Sequence, residues 1–171
     1  PVISSAASDV YKRQILDYKS TENWILSRLP SYQAIGKKAY NPGLKNVVKF
    51  VSTLDLPIDS LNLIHVGGTN GKGSTSSYIS SILQESNYQV GIFSSPHFFD
   101  FRERIKINNQ KISKSFIVDF VNKYKSLIEE LKLSFFELSF CISLAYFVHN
   151  DVDYGVIEVG LGGRLDATNI I

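Results

Sequence analysis

Apolar residues recur along this chain at two different spacings, which predict helices and strands in alternation. Apolar positions three and four residues apart predict helices at 15–29, 44–54, 74–85, 115–131 and 135–149, the last apolar on every side and therefore buried. Short apolar runs predict strands at 61–66, 88–94 and 153–159, and alternation around Asn108-Asn109 predicts a hairpin over 104–112. This order indicates an α/β fold, with a mostly parallel sheet covered by helices on both faces.

A glycine-rich turn follows the first predicted strand and contains Lys72. A strand, a glycine turn, a lysine and a helix start together are typical of a loop that binds nucleotide phosphates, because the helix-start N–H groups and the ammonium face the anion. The common pattern has glycine at position 66 and Ser or Thr at position 73, where this chain has Val66 and Gly73. The hydroxyl that commonly binds magnesium directly after the lysine is therefore either displaced to a later position in the chain or replaced by another ligand. The alternative is a glycine turn with a solvated lysine.

Polar residues also follow the other two predicted strands. Ser95 lies in the segment 94–97 at the end of the second strand, and Glu158 ends the apolar run 156–158 of the third. Because the carboxyl ends of parallel strands meet at one edge of a sheet, Glu158 is well placed to hold magnesium directly or through water. The alternative is a structural ion pair between Glu158 and an arginine such as Arg164.

Four further residues near these strands have less specific interpretations. His65 lies within a strand and is interpreted as a core residue with satisfied hydrogen bonds, whereas His97 either takes part in the site directly or lies at its border. Arg102 and Arg104 either steer anions or pair with Glu103.

Composition excludes several classes of function. The chain has 171 residues and a net charge of +2, so its charge does not indicate a nucleic acid or an anionic membrane as partner. Cys141 is the one cysteine, which excludes an internal disulfide and fits a reducing cytosol. The sequence contains no apolar run of the ~20 residues that a membrane span needs and no secretory pattern at its start.

The absence of methionine predicts that the reading frame is incomplete. Residues 1–14, rich in Ser and Ala, are interpreted as a non-native or disordered leader and take no part in the fold prediction. Residues 15–60 are predicted to form an N-terminal helical segment, and residues 61–171 an incomplete nucleotide-binding domain.

Five blocks of the sequence, in order, resemble folylpolyglutamate synthase, a family of the Mur ligase superfamily that in bacteria often also carries dihydrofolate synthase activity. The blocks are 68–74, 94–97, 101–105, 134–137 and 158–169, and the similarity runs from about residue 32 to residue 171. Most Mur ligases place Thr directly after the lysine of the loop. Gly73 therefore favours the folate branch over the peptidoglycan ligases.

The resemblance implies a P-loop NTPase-like domain of an ATP-dependent amide ligase. Such an enzyme adds L-glutamate to folate or dihydropteroate through an acyl phosphate, with ATP and Mg²⁺ as cofactors. The implied partners are small-molecule substrates, with neither nucleic acid nor membrane, and the complete protein is expected to be a cytoplasmic monomer.

Site residues carried over from the family motifs fall into three groups. The ATP phosphates would be held by Thr69, Asn70, Gly71, Lys72, Gly73 and Ser74, with Lys72 also catalytic, and magnesium by Ser95 and Glu158. The pterin substrate would contact Asn41, Pro42, Gly43, Ser134, Phe135, Phe136, Glu137 and Leu165. Either Phe135 or Phe136 would stack on the pterin ring, unless both belong to the core.

The resemblance implies that members of this family extend beyond the segment matched here by more than its own length. It also implies that a third magnesium ligand, a histidine, and a carbamylated lysine lie beyond residue 171. By itself the chain is therefore expected to hold the phosphate and pterin half of a site and to lack ligase activity. The alternatives are another Mur-type ligase that acts on a nucleotide-linked sugar, and a nucleotide-binding module without chemistry, in which Glu158 is structural.

Overall fold

A computed structural model describes residues 17–29, 36 and 43–171 of the chain. Within these residues the α-helices are α1 (Tyr18–Arg28), α2 (Lys45–Leu54), α3 (Lys72–Glu85), α4 (Lys114–Leu131) and α5 (Phe135–His149). The strands are β1 (Asn62–Val66), β2 (Val90–Phe93), β3 (Ile105–Ile107), β4 (Gln110–Lys111) and β5 (Tyr154–Glu158). Short 3₁₀ helices at Ile58–Ser60, Phe101–Arg104 and Ala167–Ile170 were not predicted.

The strands form one mixed sheet with the order β1-β5-β2-β3-β4. Strands β1, β5 and β2 are parallel, whereas β3 and β4 are antiparallel additions at one side. The predicted α/β fold is therefore confirmed, with a mixed sheet of three parallel strands and the predicted antiparallel hairpin. Asn108 and Asn109 join β3 to β4 with φ angles of 45° and 65°, the positive values that a two-residue hairpin turn requires.

Helices cover both faces of the sheet, as predicted. On one face, α3 contributes Ile79 and Leu83, which pack on a small cluster of buried strand side chains, Val66, Val90, Ile92 and Val156. The opposite face carries the main core, to which α2, α4 and α5 all contribute. Strand glycines allow α5 to lie close to this face, because a Cβ atom at Gly91 would lie 2.6 Å from the ring of Phe147.

The three parallel strands place their carboxyl ends at one edge of the sheet. Val66, the last residue of β1, pairs with Glu158, the last residue of β5. Phe93, the last residue of β2, pairs with Ile157 on the other side of β5. The glycine turn, the segment after β2 and the loop after β5 therefore begin side by side.

None of the helices in residues 17–29 and 43–171 is long and apolar enough to cross a membrane.

Candidate functional site

The glycine turn between β1 and α3 is exposed and is shaped by its backbone. Gly71 immediately precedes α3 with φ 79° and ψ 0°, a left-handed conformation that favours glycine. In the described part of the chain no side chain caps this helix end. Lys72 folds back over the turn, and its Nζ donates to the carbonyl oxygen of Gly68 at 2.9 Å. The turn therefore presents a lysine and a helix N-terminus, the groups that bind phosphate.

Glu158 lies next to both the glycine turn and the segment after β2. Its side chain is 5% exposed, and its Oε2 accepts a hydrogen bond from the backbone N–H of Ser95 at 2.9 Å. A Cβ atom at Gly73 would lie 3.6 Å from Glu158 Oε1, so the start of α3 faces the carboxylate. The two residues predicted to share an ion thus lie together at one edge of the sheet.

The chemistry of this pair fits a hard divalent cation. A carboxylate and a serine hydroxyl are oxygen donors, and Mg²⁺ commonly takes one or two carboxylates together with phosphate oxygens and water. Among the residues that the structure describes, no group of three or more His, Cys, Asp or Glu side chains is arranged for a metal. A metal at Ser95 and Glu158 would therefore need further ligands from outside the described residues, such as phosphate oxygens or water.

A buried cation lies beside this pair. Arg104 is 4% exposed, and burial lowers its pKa to about 10 against the opposing effect of the Glu158 charge. Its Nε donates to His97 Nδ1 at 2.7 Å, so the neutral imidazole carries its proton on Nε2. Burial and then the Arg104 charge lower the pKa of His97. Arg102 pairs with Asp100 at 2.7 Å rather than with Glu103.

The start of α5 contains a capping box that the sequence interpretation did not anticipate. Ser134 Oγ accepts from the N–H of Glu137 at 3.2 Å, and Glu137 Oε2 accepts from the N–H of Ser134 at 2.7 Å. The other oxygen, Glu137 Oε1, is buried and has no hydrogen-bond partner in the structure. Burial raises the pKa of Glu137. Both residues therefore have a structural role, and one buried carboxylate oxygen is left without a hydrogen-bond partner among the described residues.

Phe135 and Phe136 differ in accessibility. Phe135 is 3% exposed and packs against Phe101, with ring centroids 5.5 Å apart. Phe136 is half-buried and approaches the loop after β5 so closely that a Cβ atom at Gly160 would lie 2.6 Å from its ring. Phe136 is thus the more accessible of the two rings, and it joins the start of α5 to that loop.

The loop 160–169 is folded around one buried carboxylate. Asp166 accepts hydrogen bonds from the N–H of Leu161 at 2.7 Å and from the N–H and Oγ1 of Thr168 at 3.0 and 2.6 Å. Leu165, predicted to contact substrate, lies in this loop and is 42% exposed. Neither Asp166 nor Thr168 was identified from the sequence, although Asp-x-Thr is a frequent turn pattern.

His65 joins this loop to β1. Its Nε2 lies 2.8 Å from Thr168 Oγ1, although the side chain is exposed rather than part of the core. The interpretation of His65 as hydrogen-bonded is therefore confirmed, but its placement in the core is wrong, because within the described residues β1 lies at the edge of the sheet.

The predicted N-terminal part of the substrate site is only partly visible. Asn41 and Pro42 lie outside the described residues. Gly43 stands just before α2 with a φ of 125°, and a Cβ atom there would meet no neighbour within 4 Å.

Comparisons with known proteins agree on one family, although no family model matches the chain. The chain is 42% identical over 131 residues to the dihydrofolate synthetase of Saccharomyces cerevisiae and 37% identical over 161 residues to the dihydrofolate synthase/folylpolyglutamate synthase of Bacillus subtilis. These matches cover 75% and 90% of this chain, but only 31% and 36% of the relatives. The chain thus spans about a third of their length.

Solved structures give the same result. Folylpolyglutamate synthase from Thermotoga maritima superposes with a TM-score of 0.79 at 36% identity, over 90% of this chain and 35% of that one. Escherichia coli FolC in complex with DHPP and ADP gives a TM-score of 0.79 at 30% identity, over 91% and 36%. A bifunctional folylpolyglutamate synthase/dihydrofolate synthase with Mn, AMPPNP and L-glutamate bound gives a TM-score of 0.75 at 31% identity, over 88% of this chain and 36% of that one. Over the third of their length that it matches, the chain therefore belongs to the dihydrofolate synthase/folylpolyglutamate synthase family.

Proposed function

We propose that these residues form the phosphate and pterin part of an ATP-dependent ligase. The enzyme would join L-glutamate to dihydropteroate or a folate through an acyl phosphate. One observation carries the proposal: the glycine turn, Glu158 and the loop after β5 meet at one sheet edge, with Gly73 facing the Glu158 carboxylate. The ligands named for the related structures, ADP, AMPPNP with Mn, and L-glutamate, support the same chemistry.

The ATP phosphates are assigned to the turn and the first residues of α3. Backbone N–H groups of Thr69–Ser74 would contact the phosphate oxygens, and Lys72 would exchange its bond to Gly68 for the terminal phosphates. An ammonium at this point favours the charge that develops in phosphoryl transfer. Lys72 is therefore the residue on which turnover depends most.

Magnesium is assigned to Ser95 and Glu158. Ser95 already donates its N–H to Glu158, so its side chain needs little movement to share an ion with the carboxylate. Because Gly73 has no side chain, the approach to the Glu158 carboxylate from α3 stays open, whereas a larger residue at position 73 would narrow it. When bound, the ion would neutralise phosphate charge and supply Lewis-acid chemistry.

The pterin substrate is assigned to the start of α5 and the loop 160–169. Pterin rings carry N–H donors, and Glu137 Oε1 is a buried acceptor without a partner in the structure. Phe136, on α5, and Leu165, in the loop 160–169, offer apolar surface to the ring. Ser134, Phe135 and the residues Asn41, Pro42 and Gly43 complete the proposed set.

We also propose that the complete ligase is a cytoplasmic monomer that binds no nucleic acid. The net charge of +2 supports the absence of a nucleic-acid partner, and the one cysteine of the chain, which is buried, supports a reducing compartment.

The full-length gene product tests the function directly. Incubated with ATP, Mg²⁺ and L-glutamate, it should release phosphate only when dihydropteroate or a reduced folate is present, and mass spectrometry should detect the product with one added glutamate. Phosphate release that depends instead on a nucleotide-linked sugar would favour another Mur-type ligase. Binding of ATP without Mg²⁺ and without turnover would favour a non-catalytic module.

A further inference from the structure

A chain of hydrogen bonds connects the edge strand β1 to the loop after β5. It consists of His65, Thr168 and Asp166, which we call the anchor, and its two side-chain contacts measure 2.8 and 2.6 Å. His65 lies three residues before Gly68 of the glycine turn, whereas Asp166 is next to Leu165 in the loop. The anchor therefore joins the strand that leads into the phosphate side of the site to the loop on the pterin side.

The direction of these hydrogen bonds follows from the chemistry of the carboxylate. Asp166 accepts the hydroxyl proton of Thr168, so the remaining role for Thr168 Oγ1 toward His65 is that of acceptor. His65 Nε2 must then carry a proton and donate it. The contact holds for the neutral Nε2–H tautomer and for the imidazolium alike, and a glutamine amide provides a donor of similar reach.

Asp166 also determines the shape of the loop. Its second oxygen accepts the N–H of Leu161 at 2.7 Å, and its own N–H donates to the carbonyl oxygen of Gly163 at 2.9 Å. Asp166 and Thr168 are buried, whereas Leu165, which directly precedes Asp166, is exposed. A buried, fully bonded carboxylate thus holds an exposed apolar side chain in one place.

We propose that the anchor positions Leu165 and that His65 is a positioning residue for the pterin substrate, an inference that rests on the proposed function. His65 acts through Thr168 and Asp166 rather than by touching substrate. Loss of His65 loosens the loop, weakens binding of the pterin substrate and leaves the ATP contacts in place. The amides of Leu161 and Thr168 report on the loop whether or not the enzyme turns over.

The kinetic test compares His65→Leu with His65→Gln in the full-length ligase. Because loss of one hydrogen bond changes an equilibrium by about 3- to 10-fold, His65→Leu should raise the KM for dihydropteroate by that factor, with the KM for ATP within about twofold of wild type. His65→Gln should restore the KM for dihydropteroate. Thr168→Val and Thr168→Ser form a second matched pair. Thr168→Val should raise the KM for dihydropteroate but not the KM for ATP, and Thr168→Ser should restore the KM for dihydropteroate. Equal increases in both KM values, or failure of both conservative variants to restore binding, would overturn the proposal.

Hydrogen exchange provides the readout that is independent of activity. In His65→Leu the amides of Leu161 and Thr168 should exchange about 3- to 10-fold faster than in wild type, while the amides of α3 remain unchanged. Unchanged exchange in the loop would show that the anchor does not hold it. If wild type itself shows no pterin-dependent turnover, the proposed function fails, while the exchange experiment still decides whether the anchor exists.

Discussion

The two sides of the candidate site are built in different ways. The proposed phosphate side is a run of consecutive, mostly exposed residues whose shape comes from the backbone, with Gly71 in a left-handed conformation and Lys72 bonded to a carbonyl four residues before it. The pterin side is assembled from separate segments through buried side chains, such as Glu137 and Asp166. A change on the phosphate side should therefore affect chemistry with little effect on stability, whereas a change on the pterin side should affect both.

Lys72→Ala gives the largest expected effect and tests the first half of this comparison. It should lower turnover of the full-length ligase roughly 100- to 1000-fold, because a charge-assisted contact to the phosphates is lost. The melting temperature should stay within about 2 °C, since the side chain bonds only to the exposed turn. Lys123→Ala, an exposed lysine of α4, is the matched control and should leave turnover unchanged. Near-normal turnover in Lys72→Ala would refute the phosphate assignment.

Glu158→Gln tests the residue that connects the two sides. The amide oxygen can still accept from Ser95, so the fold should persist, but the charge available to a metal is lost. Turnover should fall roughly 10- to 100-fold, and the concentration of Mg²⁺ for half-maximal rate should rise. Glu130→Gln, at an exposed position on α4, controls for the charge change. An unchanged magnesium requirement would contradict the assignment of Glu158 as a ligand.

Glu137→Gln should separate stability from binding on the pterin side. Burial raises the pKa of Glu137, so the folded protein bears the cost of a buried charge above that pKa and loses this cost as the pH falls. At pH 8 the variant should therefore melt about 2–4 °C higher, a gain of about 1 kcal/mol, and the difference should vanish in acid. The KM for dihydropteroate should rise about tenfold because a charged acceptor is lost. A lower melting temperature together with normal KM would show that Glu137 serves only as a cap.

Gly73→Ala has the smallest expected effect. Alanine is the better helix former, and a Cβ atom here meets Glu158 at an ordinary contact distance of 3.6 Å. The free energy of unfolding should rise by about 0.5–1 kcal/mol, while the affinity for Mg²⁺ falls because the methyl group narrows the approach to the carboxylate. Isothermal titration with Mg²⁺ and ATP, alongside chemical denaturation, measures both. Unchanged metal affinity would place the ion elsewhere.

The phosphate side of the candidate site was easier to predict from the sequence than the pterin side. The glycine turn was predictable because its residues are contiguous and its chemistry is local. Ser95 and Glu158, 63 positions apart, could be placed together because parallel strands end at one edge of a sheet. Their direct hydrogen bond depends on register and was not predicted.

Most contacts on the pterin side could not be predicted from the sequence. The pairing of His65 with Thr168 spans 103 positions and depends on β1 lying beside β5, which no local pattern specifies. The bond between Arg104 and His97 depends on the path of the segment after β2. The capping box of Ser134 and Glu137, by contrast, is local, and its Ser-x-x-Glu spacing is typical of a helix start, so it was predictable from the sequence.

The fit of Phe147 against the sheet has a consequence for sequence variation. Its ring fills the space above two glycines, Gly91 on β2 and Gly155 on β5, where an added Cβ atom would approach it to 2.6 and 3.3 Å. A larger residue at position 91 therefore requires a smaller one at position 147, whereas an added Cβ atom at Gly155 would first meet Leu63, at 2.6 Å. Phe147 lies about 15 Å along α5 from Glu137, at a rise of about 1.5 Å per residue. A methyl group added at Gly91 beside an unchanged Phe147 would thus push on one end of α5 and shift the Glu137 carboxylate near its other end, so homologues with a larger residue at position 91 are expected to have a smaller one at position 147.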